Sequence, residues 1–319
     1  MRPINPDVAA LVRATAGAPP LGSLPPEAMR RAYSASRRAL QGAPEPVAVV
    51  RDLVIPGPGG SLALRMYRGA GASVLPCLLF LHGGGWVLGD LDSHDGVCRR
   101  LARASGGCVI AVDYRLAPEH QFPAAVEDAA AAMRWVADHA TDLGIDPAQL
   151  AVGGDSAGGN LAAVLALQGR DGAGPAAVFQ VLLYPATDFR PATDLPMNTA
   201  CYPSVPDNMP LTGDAMRYFA GHYLADPSAA LDWRASPLLA PSLAGAPPAL
   251  VLTCGHDPLS DEGQAYATRL EAAGVAVTTL HLGDQAHGIL TMGGAIGSAA
   301  GVLDFAGATL KECWRERTE

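Results

Sequence analysis

A serine set among glycines, Gly154-Asp155-Ser156-Ala157-Gly158, is the sharpest chemical signal in the chain. It follows an apolar run, Leu150-Ala151-Val152, and opens a helix-forming stretch from Ala157 to about Gln168. G-x-S-x-G between a strand and a helix is the setting of a nucleophile elbow. Glycine admits the tight turn where a Cβ would collide. The helix N-terminus behind it favours the negative charge that develops as the serine reacts. The plain alternative is a structural glycine turn.

A second cluster, His82-Gly83-Gly84-Gly85-Trp86, follows the apolar run Leu78–Leu81. Consecutive glycines let backbone N–H groups converge on one point. Gly83, Gly84 and Gly85, with the N–H of Ala157, are the candidate oxyanion donors, and one such donor is worth about 3–4 kcal/mol in the transition state. A phosphate-cradling loop does not fit. No Lys-Ser/Thr follows, and Leu88 stands where the last glycine of G-x-G-x-x-G belongs.

A serine hydroxyl needs a base to take its proton and an acid to orient that base. Behind a nucleophile elbow the chain order is serine, acid, histidine. Asp257 follows the apolar run Leu250–Cys254, and the carboxyl end of a strand is where α/β sheets carry ligands and reactive groups. Asp261 and Glu262 are its rivals, though both suit the first turn of the next helix. Two histidines lie further on. His281 falls within the alternating run Val277–Leu282, whereas His287 sits in Gly283-Asp284-Gln285-Ala286-His287-Gly288, read as a loop past the strand end. His287 is therefore the expected base, with an imidazole pKa suited to working pH. His82 precedes the serine and is read as an orienting residue. His94, His120, His139, His222 and His256 show no metal-ligand spacing and are read as surface or packing residues, so no metal is expected.

These residues need a scaffold that brings distant positions to one edge. Short apolar strands alternate with helices from Leu78 to the C-terminus, which predicts an α/β fold: a mostly parallel sheet covered on both faces. The predicted strands are Leu78–Leu81, Cys108–Val112, Leu150–Val152, Phe179–Tyr184, Ala249–Cys254 and Val275–Leu282. A hairpin, Val47–Ile55 and Leu62–Tyr67, precedes them across Pro56–Gly60. Two N-terminal helical pieces, near Pro6–Thr15 and Pro25–Leu40, are broken by prolines. The rhythm fails from Asp188 to Leu238, where a Pro-rich stretch carrying Cys201 and Tyr202 leads to a helical piece, Gly213–Leu224. The expected division is a cap of residues 1–45 and 188–238 over a core of 46–187 and 239–319.

Composition narrows the function. The chain has 319 residues, 49% of them hydrophobic, and a net charge of −9, with no basic stripe for nucleic acid. No apolar run is long enough to span a membrane, and the N-terminus lacks the form of a signal peptide. The six cysteines are scattered, with no C-x-x-C, which fits a reduced cytoplasm.

Four blocks together resemble the bacterial hormone-sensitive-lipase-like esterases: His82–Trp86; Asp113–Glu119 with Phe122-Pro123-Ala124; Gly154–Asn160; and Asp257–Gly263 with His287-Gly288. The resemblance spans nearly the whole chain. It implies an α/β-hydrolase fold with a helical cap, and the same Ser156, Asp257, His287 triad. It favours Gly84 and Gly85 with Ala157 as oxyanion donors over Gly83. It further implies hydrolysis of short-to-medium acyl esters by water through an acyl-serine, no cofactor, and a homodimer. Ile289 stands where that family usually has Phe. Arg115 and Glu119 are expected as buried supports of the oxyanion loop, and Pro118 and Pro123 as sites of cis bonds. Trp86, Asp155, Leu211 and Ile289 are the candidate substrate contacts, with Val87, Leu88, Tyr184, Tyr202, Met209 and Phe219 as further pocket candidates. Two other readings share these motifs: an amidase with the same triad, and a non-catalytic ligand-binding member of the fold.

Overall fold

The computed structural model describes residues 2–193, 202, 203, 205, 206 and 208–317; Cys201 lies outside them. Two N-terminal helices, α1 (Pro6–Ala14) and α2 (Pro26–Leu40), precede an antiparallel hairpin, β1 (Val49–Gly57) and β2 (Gly60–Arg68). Proline at the start of each helix supplies a preset φ where no N–H partner is needed. The hairpin pairs antiparallel with β4 (Cys108–Asp113), which runs parallel to β3 (Leu75–Leu81). Between them lies α3 (Asp95–Ser105). Helices α4 (Ala124–Asp138) and α5 (Ala140–Leu143) lead to β5 (Ile145–Asp155), then α6 (Ala157–Arg170) and β6 (Gln180–Leu183). After α7 (Gly213–Tyr223) the sheet resumes as β7 (Ala249–His256), α8 (Ser260–Ala272) and β8 (Val277–Ala286), and α9 (Ser298–Glu316) closes the chain.

The eight strands stand in the order β1-β2-β4-β3-β5-β6-β7-β8, parallel from β4 onward. Side chains of a strand alternate between faces. In β3, Leu78 and Phe80 enter one apolar cluster, and Cys77, Leu79 and Leu81 the other. β4 divides the same way, Val109 and Ala111 against Cys108, Ile110 and Val112. A sheet buried on both faces explains why these strands read as unbroken apolar runs. Cys77, Cys98, Cys108 and Cys254 are buried free thiols and pack as small hydrophobes.

The register brings the motif ends together. Leu81, the last residue of β3, pairs with Gly154, and Leu183 of β6 pairs with Asp155. The glycine loop after β3 and the serine after β5 therefore start side by side. Helix α6 leaves the sheet at Ser156, and Gly158 in its first turn faces the Leu81 and His82 carbonyls so closely that a Cβ would overlap them.

Two boundaries differ most from the sequence reading. β5 begins at Ile145, because Ile145 pairs with Leu75 across an irregular register. β8 runs on to Ala286, so Gly283–Ala286 is strand rather than loop. A register shift in β7 between Cys254 and His256 lets Ala286 pair with His256. The peptide bonds before Pro118 and Pro123 are cis, as expected.

Gly158→Ala should force backbone against backbone at the β3–α6 junction. Overpacking of this kind costs about 1–3 kcal/mol or more. The urea midpoint of the variant is expected to fall clearly; an unchanged midpoint would show that the junction can yield.

Candidate active site

The candidate acid and the candidate base are neighbours because the strands that carry them end in register. His256 of β7 pairs with Ala286 of β8, so the next residues, Asp257 and His287, leave the sheet edge together. Asp257 Oδ2 lies 2.8 Å from His287 Nδ1, and Asp257 Oδ1 accepts the Leu259 N–H at 2.8 Å. On the other side of the ring, His287 Nε2 lies 2.9 Å from Ser156 Oγ. Asp257 is 1% exposed, and Ser156 and His287 are 8% exposed each. The acid is thus sealed in while the serine and the imidazole keep a narrow opening.

Ser156 has φ 55° and ψ −117°, a backbone region costly for a residue with a side chain. Its backbone is pinned from several directions. Its N–H donates to Leu183 O at 2.9 Å, and its carbonyl accepts from Asn160 N at 3.1 Å and Ala186 N at 3.2 Å. Asn160, fully buried, donates to the Ala186 and Ala235 carbonyls. The Tyr184 ring, itself at φ 39°, lies 4.7 Å from the His287 ring.

Facing the serine is the loop after β3. Gly84 has φ +127°, and a Cβ there would overlap the Leu88 carbonyl; the Leu88 N–H donates back to Gly84 O at 2.8 Å. Among the described residues, no acceptor within the chain engages the amides of Gly84, Gly85 or Ala157. Gly83 is different. Its N–H already donates to Asp155 Oδ1 at 2.8 Å. That contact removes Gly83 from the expected donor set, and it moves Asp155, 3% exposed, from substrate contact to loop anchor.

Asp155 belongs to a buried polar network behind the loop. His94 Nε2 lies 3.1 Å from its Oδ1, and His94 Nδ1 lies 3.0 Å from the Ser93 hydroxyl. His82 stacks on Tyr114 at 4.3 Å between ring centroids, and the Tyr114 hydroxyl donates to His82 O at 2.7 Å. Burial pushes the Asp155 carboxyl up, but His94, the Gly83 N–H and His82 outweigh it and hold it below the usual range. Burial, with His94 nearby, pushes His82 down to about 4, so its ring is neutral near pH 7. His94 is the site residue that sequence reading missed. It was grouped with packing histidines, and its only local mark is its place just before α3.

The rivals have other occupations. Asp261 is exposed in the first turn of α8. Glu262 is buried and accepts the Thr187 and Asp188 amides at 2.6 and 3.2 Å. His281 Nδ1 lies 2.9 Å from the Thr253 hydroxyl. The supports of the glycine loop also differ from expectation. The Glu119 side chain is 55% exposed, and it acts through Arg30, which it pairs at 2.6 Å. Arg30 in turn donates to Val87 O and Ala117 O, both at 2.7 Å. Arg115 pairs with buried Asp128 at 2.8 Å and steadies its own segment. Neither is a fully buried prop: the Glu119 side chain is mostly in water, and that of Arg115 is partly exposed.

A cavity of about 400 Å³ opens between α1, α2 and the 208–212 segment, and reaches Met292. Met209 is in its wall. Trp86, Leu211 and Ile289 are not. Trp86 is fully buried and stacks on Tyr223 at 4.7 Å with Phe189 at the same distance. Leu211 and Ile289 are buried in the two apolar clusters. At these three positions the side chain packs against neighbours; Ser156 and His287 are likewise absent from the wall of this cavity. Tyr202 is half-buried against the first apolar cluster, with its hydroxyl in the field of Glu262 and Asp188. Among the described residues no His, Cys, Asp and Glu group could hold a metal, and no helix is long and apolar enough to cross a membrane.

Comparison with known proteins agrees with this fold. A family model described as the alpha/beta hydrolase fold matches residues 78–291, which holds both glycine motifs, the acid and the base. The chain belongs to the hormone-sensitive-lipase-like esterases of the α/β-hydrolase fold. Like other members of that family it is a carboxylic ester hydrolase. It is 48% identical to carboxylic ester hydrolase LipN of Mycobacterium tuberculosis, over 81% of this chain and 69% of that one. It is 39% identical to the ethyl acetate hydrolase of Pseudomonas putida, over 93% and 95% of the two chains. The hyperthermophilic esterase from the archaeon Pyrobaculum calidifontis superposes with a TM-score of 0.89 at 40% identity, covering 98% and 99%.

Two outcomes are expected from the buried network. Asp155→Asn turns an amide N–H toward the Gly83 and His94 side, and should lower kcat about 10–100-fold with a smaller change in KM; an unaltered kcat would mean the loop holds itself. The His82 ring is neutral in the fold down to about pH 4, whereas an unfolded imidazole protonates near 6.5. The unfolded chain therefore binds the extra proton between these values, and stability present above pH 6.5 is lost as pH falls toward 4, by about 3 kcal/mol in all. NMR titration should find one imidazole with a midpoint near 4; midpoints all above 6 would contradict this.

Proposed function

We propose that Ser156, His287 and Asp257 act as nucleophile, general base and orienting acid in the hydrolysis of short-to-medium acyl esters. The observation that carries the reading is the unbroken chain of contacts, 2.8 Å from acid to imidazole and 2.9 Å from imidazole to hydroxyl. Ser156 Oγ attacks the ester carbonyl as His287 Nε2 takes its proton. Asp257 holds the Nδ1–H and stabilises the imidazolium. The tetrahedral oxyanion accepts from the N–H groups of Gly84, Gly85 and Ala157. Collapse breaks the bond to the alkoxy oxygen, His287 returns the proton to it, and the alcohol leaves an acyl-serine. Water, activated by the same imidazole, repeats the steps and frees the acid.

Residues 1–45 and 188–238 form the cap in this reading. Its support is the cavity wall, which draws Leu11, Met29 and Arg37 from the first segment and Asn208 and Met209 from the second. A cavity of that size suits small esters, and a relative named ethyl acetate hydrolase fits the same range. A homodimer through the open outer edge of β8, the last strand of the sheet, is part of the proposal, as is a reducing cytoplasmic setting, supported by the buried free thiols.

The test is turnover of p-nitrophenyl acetate, butyrate and dodecanoate. The two short esters should be preferred. Ser156→Ala and His287→Ala should each lose at least about 1000-fold in kcat. Equal rates for wild type and Ser156→Ala would remove the assignment.

A further inference from the structure

Four arginines lie on α2, and they divide sharply by partner. Arg30 pairs with Glu119, Arg31 with Glu27 and Arg38 with Asp92. Arg37 has no carboxylate partner among the described residues, although it is the most deeply buried of the group at 9% exposure. Its guanidinium lies 4.5 Å from the centre of the Tyr33 ring, and Nη1 makes one long hydrogen bond, 3.5 Å, to the Ser36 hydroxyl. Its Nε has no partner. A buried cation with no counter-charge is costly and calls for an anion.

The surroundings say where that anion would sit. Arg37 is the one charged side chain among the described residues that line the 400 Å³ cavity; the rest of the wall is aliphatic, aromatic or neutral polar. Arg37 Nη2 comes within 3.9 Å of the side-chain position of Gly288, the residue after His287. The cation therefore stands in the cavity wall and close to the residue that follows His287, while Ser156 and His287 themselves lie outside that wall. A largely apolar pocket with one placed charged group is the usual form of a site that fixes substrate orientation. A guanidinium fork matches a carboxylate with two parallel donors.

We propose that Arg37 is a specificity-determining residue that pairs with a free carboxylate carried by the ester itself. The substrate class is the short ester with a second, ionised carboxyl group, such as the half-ester of a dicarboxylic acid. The proposal rests on the Ser156 esterase reading. The carboxylate neutralises Arg37, the apolar wall takes the connecting carbons, and the scissile carbonyl is left beside the serine.

The experiment compares ethyl hydrogen succinate with ethyl 4-oxopentanoate, a neutral ester of the same shape, by pH-stat titration near pH 7.5. The readout is the ratio of kcat/KM for the charged ester to that for the neutral one. Arg37→Met should lower this ratio about 10–30-fold, mainly through KM of the charged ester, as loss of a charged hydrogen-bonded pair predicts. Arg37→Lys should restore part of it. Arg37→Gln is the second charge-removing variant if the Met protein does not fold. A ratio unmoved in these variants, with both esters slowed alike, would make Arg37 a structural residue and overturn the proposal. So would a wild type that hydrolyses the neutral ester and ignores the charged one. Hydrolysis of the neutral ester that persists in Ser156→Ala would instead overturn the esterase reading beneath it.

Discussion

Ser156 occupies φ 55° and ψ −117° at the point where β5 ends and α6 begins. No side chain settles there without help, and much of the surrounding structure supplies it. The strand behind the serine is paired on both sides, to β3 and to β6. Its backbone N–H and C=O are both engaged. The helix ahead of it is buried over most of its length, its first turns built from Ala157, Gly158 and Gly159 so that it can press against the sheet. The strain is held by packing on every side, which is the condition under which such conformations persist. What it yields is a hydroxyl raised above the sheet edge next to unpaired amides.

The same edge gathers the other parts by register. β3 delivers the glycine loop opposite Gly154, and β7 and β8 deliver the acid and the imidazole from paired ends. Behind the loop, burial pushes the Asp155 carboxyl up, and His94 and the Gly83 N–H outweigh it and hold it below its usual range. Asp155 is the residue before Ser156, so one stretch of chain places both the Ser156 hydroxyl and the anchor of the facing glycine loop. Preorganised donors of this kind need no rearrangement as charge develops.

The fold, and the meeting of Ser156, His287 and Asp257, were legible in the sequence because their signals are local and mutually ordered. Apolar runs named the parallel strands, and the two glycine motifs could each be placed at a strand end. The misreadings share a cause: each depended on a contact far along the chain. Gly283-Asp284-Gln285 has the composition of a loop, yet it continues β8 because a shift in β7 leaves His256 free to pair with Ala286. Gly83 resembles its neighbouring glycines in sequence, and only the position of Asp155 separates it from them. His94 carries no motif at all. Trp86 follows a glycine loop in sequence, and its contacts with Tyr223 and Phe189 appear only in the fold. Arg37 is one of four arginines in its segment, and only the fold shows that among the described residues it has no carboxylate partner.

The central claim is that one serine, activated by one histidine, forms the covalent bond. Its most direct measurement is intact-mass and peptide mapping after reaction with an alkyl p-nitrophenyl phosphonate. A single adduct on the Ser156 peptide, formed far more slowly in His287→Ala, is the predicted result. An adduct on another residue, or labelling as fast without His287 as with it, would contradict the account.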